Sequence, residues 1–168
     1  MAGPATFEFD EWNLVGKVQA HAIANFNFGA VDDHELVITV EANKIARGSN
    51  SYIKYITGHF SGSYELVGPN GKCWLSTKSL PTGVTMKAGV TVTYATPVTT
   101  ASGDSDIPES EGAALAIKFG DTPEAASNDS EATIPCYTQY IRLQLQTSAG
   151  SPTGAIGTNT LTLKYDES

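Results

Sequence analysis

The sequence predicts an all-β protein: an antiparallel two-sheet β-sandwich, jelly-roll-like, with an extended N-terminal arm. Three observations carry this reading. Apolar and polar residues alternate with period two in at least six separate runs, which sorts side chains onto the two faces of a sheet. Pro and Gly fall between the runs, at Gly68-Pro69-Asn70-Gly71, Leu80-Pro81-Thr82-Gly83 and Ser151-Pro152-Thr153-Gly154, where they supply fixed or positive φ. Only Asp121-Thr122-Pro123-Glu124-Ala125-Ala126 offers a helix start, and it has room for one turn. A parallel α/β sheet would need helices between its strands.

In chain order, Ala5, Phe7 and Phe9 alternate against Thr6, Glu8 and Asp10, and Trp12, Leu14 and Val15 follow. Residues 1–16 therefore read as an aromatic arm or an edge strand, able to complete its own sheet or a neighbour's by strand addition. Residues 17–168 read as one sandwich domain. Val18 to Phe28 places Val18, Ala20, Ala22, Ala24, Phe26 and Phe28 on one face. Leu36, Ile38, Val40 and Ala42 alternate next, then Phe60, Tyr64 and Leu66 around Gly62. The longest run is Val84, Met86, Ala88, Val90, Val92 and Tyr94, with Gly89 expected to mark a bulge. Ala113 to Phe119, Ile141 to Leu145, and Leu161 to Tyr165 complete eight or nine strands. The polar stretch 96–112 reads as a surface loop or arm.

Composition narrows the function classes. With 10 basic residues against 18 acidic and a net charge of −8, the chain lacks the clustered cations that bind a phosphate backbone, so no nucleic-acid partner is expected. No apolar run approaches the ~18 residues that span a bilayer, so no membrane partner is expected either. Met1-Ala2-Gly3-Pro4 has neither the basic nor the apolar region of a signal peptide, which fits use without secretion or a trimmed chain. The charged fraction of 17% lies below the ~25% of ordinary soluble domains. Thr, Ser, Gly and Ala fill the difference.

Motifs for chemistry are sparse. His21, His34 and His59 are far apart in sequence and lack close ligand spacing, so no metal and no cofactor is expected. Gly58-His59-Phe60-Ser61-Gly62 has its serine one place off a nucleophile elbow, and Gly68-Pro69-Asn70-Gly71-Lys72 lacks the Ser or Thr of a phosphate loop. No catalytic residue is assigned, and the protein is expected not to be an enzyme. Asp104, Asp106, Glu109 and Glu111 could offer oxygens to calcium, against the reading of a solvated acidic loop. Asn128-Asp129-Ser130 fits a glycosylation acceptor. Cys73 and Cys136 are either one disulfide or two buried thiols. Trp12, Trp74, Tyr52, Tyr55 and Tyr140 are either a sugar-stacking platform or part of the core rim or an interface.

Gln139-Tyr140-Ile141-Arg142-Leu143-Gln144-Leu145 leading into Ser148-Ala149-Gly150-Ser151-Pro152-Thr153-Gly154 resembles the closing hairpin of tailed-phage capsid decoration, or cement, proteins. Asn25-Phe26-Asn27-Phe28-Gly29 and Gly157 to Tyr165 are similar to secreted fimbrial-type subunits, which polymerise by donating an N-terminal strand. The first resemblance implies a virion subunit adhering to a protein lattice or to copies of itself, as a homo-oligomer. The second implies an extracellular filament. A carbohydrate-binding module is the third reading. Phe7, Phe9, Trp12 and Leu14 are the expected assembly interface.

Overall fold

The computed structural model describes residues 5–14, 16–36, 39, 41–62, 66–68, 70–127, 132–154 and 156–166. Among these the protein is all-β, mostly antiparallel, with helix confined to two 3-10 turns at Glu41–Asn43 and Glu111–Ala113. The described residues hold thirteen strands: β1 Thr6–Asn13, β2 Val18–Ala20, β3 Lys54–Ser61, β4 Leu66–Val67, β5 Gly71–Thr77, β6 Val84–Thr91, β7 Ser105–Asp106, β8 Leu115–Ile117, β9 Phe119–Gly120, β10 Ala132–Thr133, β11 Cys136–Thr138, β12 Tyr140–Thr147 and β13 Thr160–Lys164. They outnumber the eight or nine expected: the Ala113–Phe119 run is split into β8 and β9, whereas β12 extends beyond its Ile141–Leu145 run.

The large sheet has the order β2-β1-β3-β12-β6-β7, with β11 pairing both β3 and β9. β13-β5-β8 form a three-stranded sheet, and β10-β4 a pair. β12 meets β3 at its Lys54–Ile56 end, and β11 meets it at His59 and Phe60. Between β11 and β12 the ladder breaks, and Thr138 Oγ1 accepts the Gly58 N–H at 2.9 Å in its place. Gly58 itself is required by crowding: a Cβ there would lie 2.8 Å from the Phe7 ring.

The alternation of β12 places Ile141, Leu143 and Leu145 in a core cluster with Ile56, Met86 and Ala88 of the large sheet and Cys73, Leu75 and Ile117 of the small one. Phe60, Phe119, Val67, Ala132 and Cys136 form a second cluster. The opposite face of β12 carries Gln144, buried and satisfied on both ends of its amide. Its Nε2 donates to the carbonyls of Ser51 and Thr100, and its Oε1 accepts from Ser102 N–H and Gln146 Nε2. This amide fastens the 99–102 segment across the sheet.

Several expectations change. Among the described residues, Thr6–Asn13 is neither a free arm nor an edge strand: β1 pairs with β3 from Thr6↔Ser61 to Trp12↔Tyr55 and with β2 on its other side. Its alternation is satisfied inside the chain. The strand expected over Val18–Phe28 stops at Ala20, since Ala22 turns to a φ of 53° and gives its N–H to Asp10 Oδ1. Ala42 lies in a 3-10 turn, while Ile38, Val40 and Tyr64 fall outside the described residues. Gly89 marks no bulge, because it sits in unbroken register opposite Arg142. It is there for space, since a Cβ would collide with Asp104 Oδ1, where that carboxylate pairs with Arg142. The 96–112 stretch is tied down by β7 and by Ile107, which is 3% exposed and donates its N–H to Met86 O. At the helix candidate, Thr122 rather than Asp121 caps the single turn through its Oγ1 and the Ala125 N–H.

Candidate functional site

β1 sends its even-numbered side chains to one face of the large sheet and its odd-numbered ones to the other, as the pleat requires. The odd face holds Phe7, Phe9, Glu11 and Asn13, and Phe7 packs on Phe60. The even face holds Glu8, Asp10 and Trp12, with His59 directly opposite Glu8 in the β1–β3 ladder. His21 follows the last residue of β2, whose Ala20 pairs with Glu11. Histidines 38 positions apart in sequence thus reach the same patch, with ring centroids 6.3 Å apart. This corrects the expectation that they stand too far apart to act together.

The four side chains converge. His59 Nδ1 lies 3.0 Å from Glu8 Oε1 and 3.8 Å from Asp10 Oδ2, and His21 Nδ1 lies 3.2 Å from Asp10 Oδ2 and 3.7 Å from Glu8 Oε1. One ligand atom from each of the four lies within 4.8 Å of the others. Asp10 is fully buried and oriented from behind: Gln19 Nε2 donates to its Oδ2 at 2.7 Å and Ala22 N–H to its Oδ1 at 3.2 Å. Tyr137 of β11, opposite His59 in register, stacks on the imidazole at 4.4 Å with a 7° interplanar angle. His21, with a side chain 56% exposed, opens the cluster to solvent.

The same face carries an aromatic group. Trp12, Tyr55 and Tyr140 are buried together, Tyr94 packs against them, and Lys17 Nζ sits 4.8 Å from the Trp12 ring centre. Trp12 Nε1 donates to Thr57 Oγ1, and Tyr140 OH donates to Glu124 Oε1 at 2.5 Å. Burial pushes the Tyr140 and Tyr94 hydroxyls above their ordinary values, with the nearby carboxylates of Glu124 and Asp32 respectively adding to the shift. Three of the five aromatics considered for sugar stacking are therefore inside the protein; Trp74 and Tyr52 are half-buried.

The four expected interface residues separate. Trp12 is 9% exposed, Phe7 and Phe9 are half-buried against Phe60 and Phe26, and only Leu14, at 47%, faces outward. The acidic stretch is dispersed as well. Asp104 pairs with Arg142, Asp106 with Lys87, Glu109 with Lys78, and Glu111 with Lys164 and Lys72. Each carboxylate points to one or two cations of its own, so the four do not form a calcium cage. Cys73 and Cys136 are free thiols in different core clusters, not a disulfide. Burial pushes Cys73 up to about 12 and Cys136 to about 11, the latter with help from Asp121. The Asn128-Asp129-Ser130 acceptor lies outside the described residues.

Histidine spacing along the chain gave no sign of the Glu8–Asp10–His21–His59 cluster. The available signal was Glu8 and Asp10 at i and i+2 on a predicted strand, which share a face, with the histidine partners supplied by strand order. Fold and site together define an all-β protein bearing a two-histidine, two-carboxylate cluster on one sheet face. No protein family, curated protein or solved structure compared with the chain matches it.

Proposed function

We propose that the chain is a non-enzymatic structural subunit of a self-assembling particle, a phage virion in which it decorates the capsid lattice. The observation that carries the reading is an apolar sheet edge. β2 ends the large sheet and pairs only with β1 among the described strands, while Leu14 and Val18, each 47% exposed, flank the turn leading into it. A sheet edge with adjacent exposed aliphatics is a template for strand addition.

Core residues shared between the eight-stranded and three-stranded sheets support the finer reading of a two-layer sandwich. The resemblance of the Gln139–Gly154 segment to capsid decoration proteins supports the virion. Contact through the sheet edge replaces contact through an arm, because donating β1 in trans would strip seven register pairs from β3.

The test combines Leu14→Glu with Val18→Lys, placing charge on the edge without touching the core. Wild-type protein is expected to self-associate or to co-sediment with shells from its native source, and the double variant to do neither while melting at the wild-type temperature. A wild-type chain that stays monomeric and ignores the shells refutes the proposal, as does a double variant that assembles normally.

A further inference from the structure

We infer that Glu8, Asp10, His21 and His59 form a binding site for a divalent transition-metal cation, zinc above all. The donor set decides the class of ion. Two imidazole nitrogens with two carboxylates suit zinc and its neighbours, whereas calcium and magnesium take oxygen shells.

The geometry agrees with a small coordination sphere. Zinc–nitrogen and zinc–oxygen bonds of about 2.0–2.2 Å in a tetrahedron put neighbouring donors about 3.3–3.5 Å apart. The four imidazole–carboxylate separations, 3.0, 3.2, 3.7 and 3.8 Å, straddle that value. The remaining pairs lie within 4.8 Å, so side-chain shifts on the order of an ångström close the shell.

The surroundings are those of a built site. Metal ligands are normally held by a second layer of hydrogen bonds that fixes their orientation. Here Gln19 Nε2 and Ala22 N–H hold the buried Asp10, and the Tyr137 ring holds the plane of His59. An entry path exists on the His21 side, where that imidazole is 56% and Glu8 31% exposed. The ligands come from β1, from β3 and from the residue after β2, so a bound ion would staple three chain segments and stabilise the folded state over the unfolded one.

The experiment uses the full chain, freed of any histidine tag and treated with a chelator, titrated with zinc chloride by calorimetry and against a chromophoric zinc chelator. One zinc per chain is expected, with the melting temperature rising about 5–10 °C at a hundredfold excess over Kd. His59→Ala and His21→Ala should each weaken binding at least tenfold. His34→Ala, outside the cluster, should bind as wild type. Because His21 is exposed, its replacement tests the site even where His59→Ala fails to fold. Absence of stoichiometric zinc binding overturns the inference, as does His21→Ala binding zinc like wild type or calcium binding as tightly as zinc.

Discussion

Glu11 and Lys54 sit on the core side of the large sheet, 1% and 3% exposed, with Nζ and Oε1 2.5 Å apart. The second carboxylate oxygen of Glu11 is buried and has no hydrogen-bond partner. Lys54→Met would leave a buried carboxylate without its cation. Breaking such a pair from one side costs about 3–5 kcal/mol. At roughly 2–4 °C per kcal/mol for a domain of this size, the melting temperature should drop by about 6–20 °C. Replacing both, Glu11→Met with Lys54→Met, removes the stranded charge and should return stability to within about 1 kcal/mol of wild type or above it. Acidity gives a second signature. Burial raises the Glu11 carboxyl above its ordinary value, and Lys54 opposes that rise. A carboxyl raised by folding binds its proton more tightly in the native state, so its contribution is most favourable at pH below the unfolded value and is lost as pH climbs through the folded one. Removing Lys54 lifts the folded value further, so the loss in Lys54→Met should be largest near pH 7 and shrink towards pH 4.5. Urea unfolding at the two pH values reads both effects. A double variant as unstable as the single, or a loss independent of pH, would refute the argument.

Two more predictions rest on buried groups. Gln144→Leu keeps the volume but strands the Ser51 and Thr100 carbonyls and the Ser102 N–H. Its cost should be about 2–4 kcal/mol by urea unfolding, given 1–3 kcal/mol for each buried polar group left unmade and partial rescue by water; a change under 0.5 kcal/mol would contradict the clamp. Because burial holds Cys73 near 12 and Cys136 near 11, neither thiol should react with an aromatic disulfide reagent in the native protein at pH 8. Two equivalents should react after unfolding without reductant, and none would mean that the two are bridged.

The fold class was legible because period-two alternation is a local property. Ile141, Leu143 and Leu145 announce β12 from sequence alone, and all three enter the core. The lengths of strands were less legible, because they depend on which backbone group finds a better partner elsewhere. Alternation continues from Val18 to Phe28, but the ladder ends at Ala20. The acidic cluster from Asp104 to Glu111 looked like a unit only because its members are neighbours in sequence. Their cations, Arg142, Lys87, Lys78 and Lys164, come from four other segments. Histidines showed the reverse case, since His21 and His59 meet only through the order β2-β1-β3.

Asp10 links these observations. β2 has three register pairs with β1, few for a strand at the end of a sheet. Asp10 adds two side-chain bonds to the same segment, from Gln19 within β2 and from Ala22 just beyond it. The second of these diverts the Ala22 N–H from any continuing ladder and accompanies its left-handed φ of 53°, which ends the strand and swings the chain so that His21 faces the carboxylates. A polar residue on the alternating face of β1, which the sequence marks only as outward-facing, is therefore what shortens β2, holds it to the sheet and assembles the histidine–carboxylate cluster. Turning that carboxylate into an amide, Asp10→Asn, preserves its shape while removing its charge, so it strikes the two roles unequally: the fold of β2 depends on acceptors that an amide half supplies, and the cluster depends on the negative charge that an amide lacks altogether.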